Sequence, residues 1–288
     1  MSKPPVESSG AVAFGLLVAL LLWESAAPFM AFFRGRLRER LGHDAINLCL
    51  GGINALFNAT AAAALWMWTA RVVSGASFGL LHWLELSRAT EFVLAVLLLD
   101  LWMYWWHRLC HRIPMLWRFH RVHHSDPRMD VSTAYRFHFG EMAASAVVRV
   151  PVIAVMGLGL EHILLFEVMM FAVVQIQHAN IGLPPTLDRV LRRLIVTPFM
   201  HKIHHSDLVA ETDSNYCSLF SWWDRVFGTY RERADLAGIR FGLAEFQSAG
   251  EQKFAALILN PFAGSGSKNS VVKSVPKRNA PPPNENKI

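Results

Sequence analysis

Charged residues are scarce in this chain of 288 residues, at 17%, whereas 53% of the residues are hydrophobic and ten are tryptophan. This composition argues against an ordinary soluble domain, in which about a quarter of the residues are charged. We therefore expect an integral membrane protein. The formal net charge of +6 does not indicate a nucleic-acid partner, because +4 of it lies in residues 264–288, where five basic residues face one glutamate.

Cysteine is also scarce, and no two of the three residues, Cys49, Cys110 and Cys217, are spaced as CxxC. A disulfide framework and a thiolate zinc site are therefore not indicated, and the pattern fits a reducing, cytosol-facing environment. Cys110 directly precedes His111, but we interpret it as a small apolar side chain that fills a helix interface.

Histidine, by contrast, is abundant and clustered. The thirteen histidines include one HxxxH group and two HxxHH groups, and three single histidines lie between the HxxHH groups, of which His138 and His178 are counted with them below. On a helix, positions i, i+3 and i+4 share a face, so each group presents two or three imidazoles in one direction. The ten histidines concerned are His107, His111, His120, His123, His124, His138, His178, His201, His204 and His205.

Imidazoles in this arrangement indicate bound metal, since imidazole suits iron, zinc, copper and nickel. Ten imidazoles exceed what one tetrahedral or octahedral ion can bind, so we predict two ions. The alternative is that the histidines are satisfied core or interfacial residues. That interpretation fits the isolated His43, His82 and His162, but it leaves two HxxHH groups and an HxxxH group in one chain unexplained.

Long apolar stretches predict the membrane anchor. Residues 11–33 are long enough to span a bilayer, and the basic segment RGRLRER at 34–40 places the following loop in the cytoplasm by the positive-inside rule. Residues 45–70 predict a second span, with small residues that permit close helix packing. Residues 72–86 indicate an interfacial or re-entrant segment, and 92–106 a span that crosses back to the first histidine group.

Residues 142–160 and 163–177 are apolar again and separate histidine groups that must meet on one side of the membrane. An even number of crossings is required, so we predict a helical hairpin over 142–177 that dips into or crosses the bilayer. The predicted architecture is all-α: a membrane bundle of about four to five spanning or re-entrant helices, capped by a cytosolic histidine-rich helical domain.

The domain division that follows from these stretches has three parts. Residues 1–106 form the transmembrane anchor, and 107–260 form the histidine domain, which includes the membrane hairpin. Residues 261–288 are rich in glycine, serine, proline and asparagine and predict a disordered basic tail.

Four further polar residues near the histidines are candidate functional residues: Asp100, Glu141, Asn180 and Asn215. An ionisable residue within an apolar span is a functional candidate, and Asp100 shares a helix face with His107 and His111. Because metal-bound histidines commonly donate their second N–H to a carboxylate, we expect Asp100 to accept from one of these two. An ion pair between Asp100 and Arg149 is the alternative.

The two asparagines lie close in sequence to predicted ligands. Asn180 and Asn215 therefore either bond the ligands from behind or serve as turn or cap residues. Glu141 has a different alternative, because a zinc hydrolase needs a catalytic acid beside an HxxxH site. A metal transporter or haem protein is a third class, but haem uses single histidines within spans and transport sites lie near the midplane, whereas these groups lie at span ends.

The histidines lie in blocks that resemble, in order and spacing over residues 100–230, the fatty acid hydroxylase and sterol desaturase superfamily: HRLCH, FHRVHHSD, YRFHFGE, HANIG, TPFMHKIHHSD and NYCSLFSWWDRVFGTY. Two positions depart from the pattern. Phe139 follows His138 where many relatives have proline, and Cys217 stands where glycine is common.

This resemblance implies a membrane-bound enzyme in which the ten histidines hold two iron ions, with zinc as a possible substitute. With O2 the enzyme would hydroxylate or desaturate a lipid such as a sterol, a fatty acyl chain, a carotenoid or another isoprenoid. The chain shows no flavin, haem or ferredoxin motif. We therefore expect a separate electron donor of the ferredoxin or cytochrome b5 type, because side chains alone lack the redox strength for such bonds.

Overall fold

The computed structural model describes residues 5–264, and the regular structure in this range is helical, with two isolated bridges at Ile195–Phe220 and Ser206–Phe241. The predicted all-α class is therefore confirmed. In chain order the helices are α1 Pro5–Ala26, α2 Leu37–Phe57, α3 Ala63–Gly75, α4 Leu80–Trp83, α5 Arg88–Arg112, α6 Pro114–His124, α7 Phe139–Met156, α8 Leu160–His178, α9 Pro185–Leu191, α10 Pro198–His204, α11 Val209–Thr212, α12 Trp222–Val226 and α13 Phe254–Leu259.

Four stretches are long and apolar enough to cross a membrane: Leu37–Trp83, which contains α2 to α4, and the helices α5, α7 and α8. The apolar part of α1, Gly10–Ala26, is shorter than these. The sequence predicted a span over 11–33, but α1 ends at Ala26. Pro28 accounts for this end, because proline lacks the N–H of a helix interior and disfavours helical torsions in the residue before it.

α2 and α3 form one long helix that is interrupted by a π-helical turn, Asn58–Ala62. The predicted span 45–70 lies inside this helix, which extends beyond it at both ends. The turn after α3 contains Gly79, whose φ is 105°, and a Cβ there would lie 2.4 Å from the backbone N of Gly157. Glycine is therefore required where this turn approaches the turn between α7 and α8.

The predicted membrane hairpin corresponds to α7 and α8. Its turn lies at Gly157, which has a φ of 74° and ends α7 in the left-handed conformation that glycine favours. The sequence had separated the two apolar stretches at Glu161 and His162, but both residues lie in the first turn of α8. Together with α3 and α5, the hairpin surrounds an apolar core that includes Leu99 and Phe166.

The ends of three helices carry the histidine groups. α5 ends two residues before Pro114, which opens α6, and Ile113 between them has the extended torsions expected of a residue before proline. This corner places the HxxxH group of α5 beside the HxxHH group of α6. The third group lies on α10, which Thr197 caps by accepting a hydrogen bond from the backbone N–H of Met200.

The predicted division into an anchor, a histidine domain and a tail stays a prediction. The cytosolic position of the histidine-rich part likewise stays a prediction. The predicted disordered tail lies, beyond Gly264, outside the described residues.

Candidate metal centre

Nine of the ten predicted ligands meet where the ends of α5, α6, α8 and α10 converge, and they form two groups. Within each group the available ligand atoms all lie within 4.8 Å of one another. We name them the five-histidine site, composed of His107, His111, His120, His124 and His204, and the four-histidine site, composed of His123, His178, His201 and His205.

The two sites are interleaved through adjacent residues. In the HxxHH group of α6, His123 belongs to the four-histidine site and His124 to the five-histidine site. In the group of α10, His204 and His205 divide in the opposite order. The rings of His124 and His205 stack with centroids 4.4 Å apart, so the two sites are direct neighbours.

In the four-histidine site, ring nitrogens of different histidines lie directly opposite one another. The Nδ1 of His178 donates to the carbonyl of Val174 at 2.7 Å, which leaves a lone pair on its Nε2. That Nε2 lies 3.1 Å from His123 Nε2 and 3.0 Å from His201 Nε2. The buried Nδ1 atoms of His123 and His201 have no hydrogen-bond partner within residues 5–264. A cation at the centre of the three Nε2 atoms would bind their lone pairs, so the residues fit a metal ion.

The five-histidine site shows the same arrangement. His120 donates from Nδ1 to Glu141 Oε1 at 2.9 Å, and its Nε2 faces His124 Nε2 at 3.2 Å. His107 donates from Nδ1 to the Tyr216 carbonyl at 2.8 Å, and His204 donates to the Ser214 carbonyl at 2.7 Å. Such bonds fix the tautomer and aim Nε2 at a common point, as in protein metal sites.

Burial also sets the protonation of these ligands. Loss of solvent, followed by repulsion from neighbouring imidazoles, holds the pKa of His123, His124, His201 and His205 well below the usual 6.5. The four rings are therefore neutral at pH 7. Since only a neutral imidazole can bind a metal ion, the polypeptide holds these ligands ready for metal at physiological pH.

His138 is the predicted ligand that does not join either site. Its Nδ1 accepts a hydrogen bond from the backbone N–H of Gly140 at 2.9 Å, so it caps α7, and its Nε2 donates to the carbonyl of Ile258 at 3.1 Å. Both nitrogens are thus engaged, and the ring packs against Phe119. The structure therefore does not bring His138 together with the other predicted ligands, because the start of a helix, and not a helix face, sets the direction of its ring.

Asp100 does not bond to a histidine, contrary to the expectation from its helix face. Its two oxygens accept hydrogen bonds from the backbone N–H of Leu219 and Phe220, each at 3.1 Å, and from Trp223 Nε1 at 2.8 Å. The alternative partner Arg149 pairs with Glu167 instead. Asp100 therefore anchors the segment after Tyr216, the residue whose carbonyl orients His107.

Glu141 and Asn215 lie directly behind the ligands. Glu141 orients His120, as described above, so its carboxylate supports a predicted metal ligand. Asn215 has a φ of 53° and bonds through its side chain to the Met200 carbonyl and to both backbone groups of Arg231. It thereby holds the loop whose neighbouring carbonyls, at 214 and 216, receive His204 and His107.

Asn180 serves a different contact. Its side chain exchanges two hydrogen bonds with the backbone of Met30, at 2.9 and 2.8 Å, and its backbone N–H donates to Glu24 at 3.0 Å. Asn180 thus joins the segment after α1 to the chain just beyond His178. Of the two roles that the sequence left open for Asn180, these contacts match the turn role.

Two features behind the site were not predicted. Asp213 Oδ1 lies 3.4 Å from His111 Nδ1, the position expected of Asp100. His43 Nε2 lies 3.0 Å from Asp126, the residue that ends the HHSD block, and the charges of His43 and Arg136 hold the pKa of Asp126 well below its usual range although burial raises it. No spacing pattern in the sequence predicts either pair, because the two partners are far apart in the chain.

The remaining histidines and cysteines lie outside the two sites. His43 and His162 are largely buried with polar partners of their own, whereas His82 is exposed. Cys110 is buried, with its Sγ 3.9 Å from Glu141 Oε1. It lies beside His120 and Glu141 and belongs to neither histidine site, and its role as a filler stays a prediction.

A cavity of about 430 Å³ opens from the histidines into the membrane helices. His107, His120, His123, His178 and His201 line one end of it. Its walls come from α1, α2, α3, α5, α7 and α8 and consist mainly of apolar side chains. An apolar cavity that ends on metal-binding groups can hold an extended lipid with one carbon beside the metal.

Comparison with known proteins identifies the histidine-bearing segment. Residues 92–229 match the family model described as fatty acid hydroxylase. The chain is 29% identical over 187 residues to ornithine lipid hydroxylase OlsE of Rhizobium tropici, which covers 64% of this chain and 54% of that protein. It is 30% identical over 163 residues to alkylglycerol monooxygenase of Danio rerio, covering 54% of this chain and 34% of the relative.

A further relative is cholesterol 25-hydroxylase of Rattus norvegicus, 28% identical over 156 residues, which cover 51% of this chain and 49% of the relative. The chain therefore spans about half, or less, of the length of the curated relatives it matches. No solved structure matches it significantly. The matched segment, residues 92–229, contains all nine clustered histidines, and its match to the fatty acid hydroxylase family supports the predicted resemblance.

Proposed function

We propose that this protein is a membrane-bound di-iron oxygenase that hydroxylates, or desaturates, a lipid with O2 and electrons from a separate donor. The observation that carries the proposal is the placement of two adjacent polyhistidine sites at the end of an apolar cavity between membrane helices. The named activities of the relatives, each a hydroxylase or monooxygenase, support the same reaction class.

Nine imidazoles without a carboxylate ligand favour a borderline metal such as iron or zinc over magnesium or calcium. Bound iron would supply the activation of O2 for attack on an unactivated C–H bond, a step for which protein side chains have no redox strength. Zinc lies above iron(II) in the affinity order, so it is the expected substitute when iron is limiting.

The chain itself contributes orientation and exclusion of water. The carbonyls of Ser214 and Tyr216 and the carboxylate of Glu141 hold three rings of the five-histidine site in the metal-binding tautomer. Phe137 stacks on His123 with centroids 4.2 Å apart and closes one side of the four-histidine site. The apolar cavity walls present the lipid without bulk water beside the ligands.

The electron donor is proposed as a separate protein of the ferredoxin or cytochrome b5 type that meets the histidine end of the bundle. We place that end on the cytoplasmic face, where such donors operate. The proposed substrate is a sterol, a fatty acyl chain, an ether lipid, a carotenoid or another isoprenoid.

The alternative function is membrane metal binding or transport without oxygenase activity. It would place metal on a path across the bilayer, but the two sites lie at the ends of α5 and α8. Vesicles that contain the protein should show no metal flux, and the purified protein should show no Soret band.

The test pairs His123→Ala, which removes a ligand of the four-histidine site, with His138→Ala, which removes a histidine outside both sites. Detergent-purified wild type and His138→Ala should each carry about two metal ions per chain, and His123→Ala fewer. In a deletion strain, lipid analysis should show a product with one added oxygen, or two fewer hydrogens, on complementation by wild type but not by His123→Ala.

Well under one ion per chain in the wild type would overturn the proposal. So would full complementation by His123→Ala. Equal metal loss in His123→Ala and His138→Ala would show that the division of histidines described above is wrong, while leaving a metal enzyme in place.

A further inference from the structure

A charged pair lies in the wall of the cavity, remote from the histidines. Arg149 of α7 is 3% exposed and pairs with Glu167 of α8, whose side chain is about a third exposed. The guanidinium also lies over the ring of Trp66, 4.5 Å from its centroid, and donates to the sulfur of Met103 at 3.1 Å. Both members of the pair line the cavity.

The guanidinium is not saturated by these partners. Arg149 Nε is buried and has no hydrogen-bond partner in the part of the chain that the structure describes. An unpaired N–H on a buried charged group carries a substantial free-energy cost, which a ligand that accepts from it would remove. The cavity is the space from which such a ligand can reach Arg149.

The position of the pair relative to the metal sites follows from helix geometry. Glu141, which touches His120, precedes Arg149 by eight residues on α7, or about 12 Å along the axis. Glu167 precedes the ligand His178 by eleven residues on α8, or about 16 Å. If the polar group of a lipid binds to the pair, the part of the lipid that reaches the histidines therefore lies more than a dozen ångströms from that polar group.

The opposite charges of Arg149 and Glu167 determine which polar group of a lipid the pair can bind. A carboxylate or phosphate would approach the carboxylate of Glu167, and an ammonium group would approach Arg149, so each meets a like charge in a medium of low dielectric constant. A hydroxyl group can accept from Arg149 and donate to Glu167 without either repulsion. Charged residues inside a membrane bundle are costly and are typically retained for such a role.

We propose that Arg149 and Glu167 bind the hydroxyl group of a lipid, and that this contact determines which carbon of the lipid reaches the metal sites. The binding statement stands on the cavity and the pair alone. The statement about the reacting carbon rests on the proposed oxygenase function.

The experiment measures binding without turnover. The full chain in phosphatidylcholine nanodiscs is titrated with dodecanol, dodecanoate or dodecane, and the rise in melting temperature reports affinity. The wild type should bind dodecanol about tenfold more tightly than either of the other two, the factor expected of a hydrogen bond to a charged group. Cholesterol, titrated in parallel, distinguishes a sterol hydroxyl from an acyclic one.

Two variants and a matched control complete the test. Arg149→Gln and Glu167→Gln should each lose the preference for dodecanol over dodecane. Arg71→Gln changes an exposed arginine on α3, away from the cavity lining, and should retain that preference. If a variant does not fold, the wild-type comparison still decides, because equal affinity for dodecanol, dodecanoate and dodecane would overturn the inference.

The two proposals fail separately. A chain that selects dodecanol but shows no metal and no product keeps the hydroxyl site and loses the oxygenase. A chain that oxidises a lipid, yet binds dodecanol and dodecane alike, keeps the oxygenase and loses the hydroxyl site.

Discussion

The direction of each imidazole is decided by the group behind it, and Glu141 shows this at the five-histidine site. Its Oε1 accepts from His120 Nδ1 at 2.9 Å, which leaves Nε2 for the metal. We predict that Glu141→Gln weakens metal binding at this site about 10- to 100-fold, because an amide keeps the hydrogen bond but does not raise the basicity of the ring.

The measurement is metal retained per chain against increasing chelator. Glu161→Gln, an exposed glutamate in the first turn of α8, is the matched control and should behave as wild type. If Glu141→Gln retains metal as strongly as the control, the carboxylate contributes nothing to the site.

Asp100 supports the site through the backbone. Its carboxylate accepts three N–H groups, and an asparagine offers one acceptor oxygen in place of two. We predict that Asp100→Asn lowers the free energy of unfolding by about 1–3 kcal/mol, the cost of a buried donor left unpaired. The melting temperature of the detergent-solubilised protein should fall.

Metal content should fall only to the extent that the segment 216–220 loses its hydrogen bond to His107. An unchanged melting temperature together with selective loss of metal would contradict this structural role and return Asp100 to direct support of a ligand.

Spacing predicted eight of the nine histidines that the structure brings together, all except the single His178, and it could not predict their hydrogen-bond partners. The HxxxH and HxxHH patterns place rings on one helix face, and this is sufficient to bring them together once the helices converge. The division of His123 and His124 between two sites depends on how α6 and α10 face each other. The supporting groups at Ser214, Tyr216 and Asp213 depend on a loop with no periodicity, so no local signal identifies them.

At the scale of helices, Lys202 joins α10 to the end of α8. Its ammonium donates to the Ala179 carbonyl at 2.8 Å and is fully buried, and burial lowers the pKa of Lys202 to about 7, although Glu24 acts to raise it. Between pH 7 and the unfolded value of 10.5, the unfolded chain binds the proton and the folded chain does not. Stability therefore rises as pH increases through this range.

We predict that Lys202→Met removes this pH dependence. The shift corresponds to about 3–5 kcal/mol across the range. Because the buried Glu24, which interacts with Lys202, also titrates in the lower part of this range, the melting temperatures are compared between pH 8.5 and pH 9.5, where that of the wild type should rise more than that of the variant. The clustered histidines outside the spans are already neutral at pH 7, so they add no change there. A parallel rise in both proteins would exclude Lys202 as the cause.

Helix ends were predictable where a proline or glycine dictates them. Pro114 separates α5 from α6, and the two stretches of the hairpin are apparent from their hydropathy. The predicted end of the first span was wrong by seven residues, since its apolar residues continue past Pro28 while the helix does not. The π-helical turn at Asn58–Ala62 contains neither proline nor glycine, so it has no such marker.

At the scale of the whole molecule, the order of the four candidate spans predicts that all histidine groups lie on one side of the membrane. Counting from the arginine-rich segment 34–40, the stretch Leu37–Trp83 crosses away and α5 crosses back to its histidines. α7 then starts directly after His138, and α8 returns the chain at His178. This parity holds whether or not α1 crosses the bilayer, since α1 precedes the arginine-rich segment.

The side is set by basic residues. Segment 34–40 contains four arginines, and the histidine-bearing segment 108–136 contains six, whereas the turns at 84–87 and 157–159 contain neither lysine nor arginine. Because loops rich in lysine and arginine stay in the cytoplasm, the histidine sites are predicted to face it. A phosphatase that is active only outside the cytoplasm should therefore be inactive when fused after Tyr230 and active when fused at Glu85. Activity of the Tyr230 fusion alone would show that the topology is inverted. Activity of both fusions would contradict the predicted number of spans, because three crossings separate the two positions.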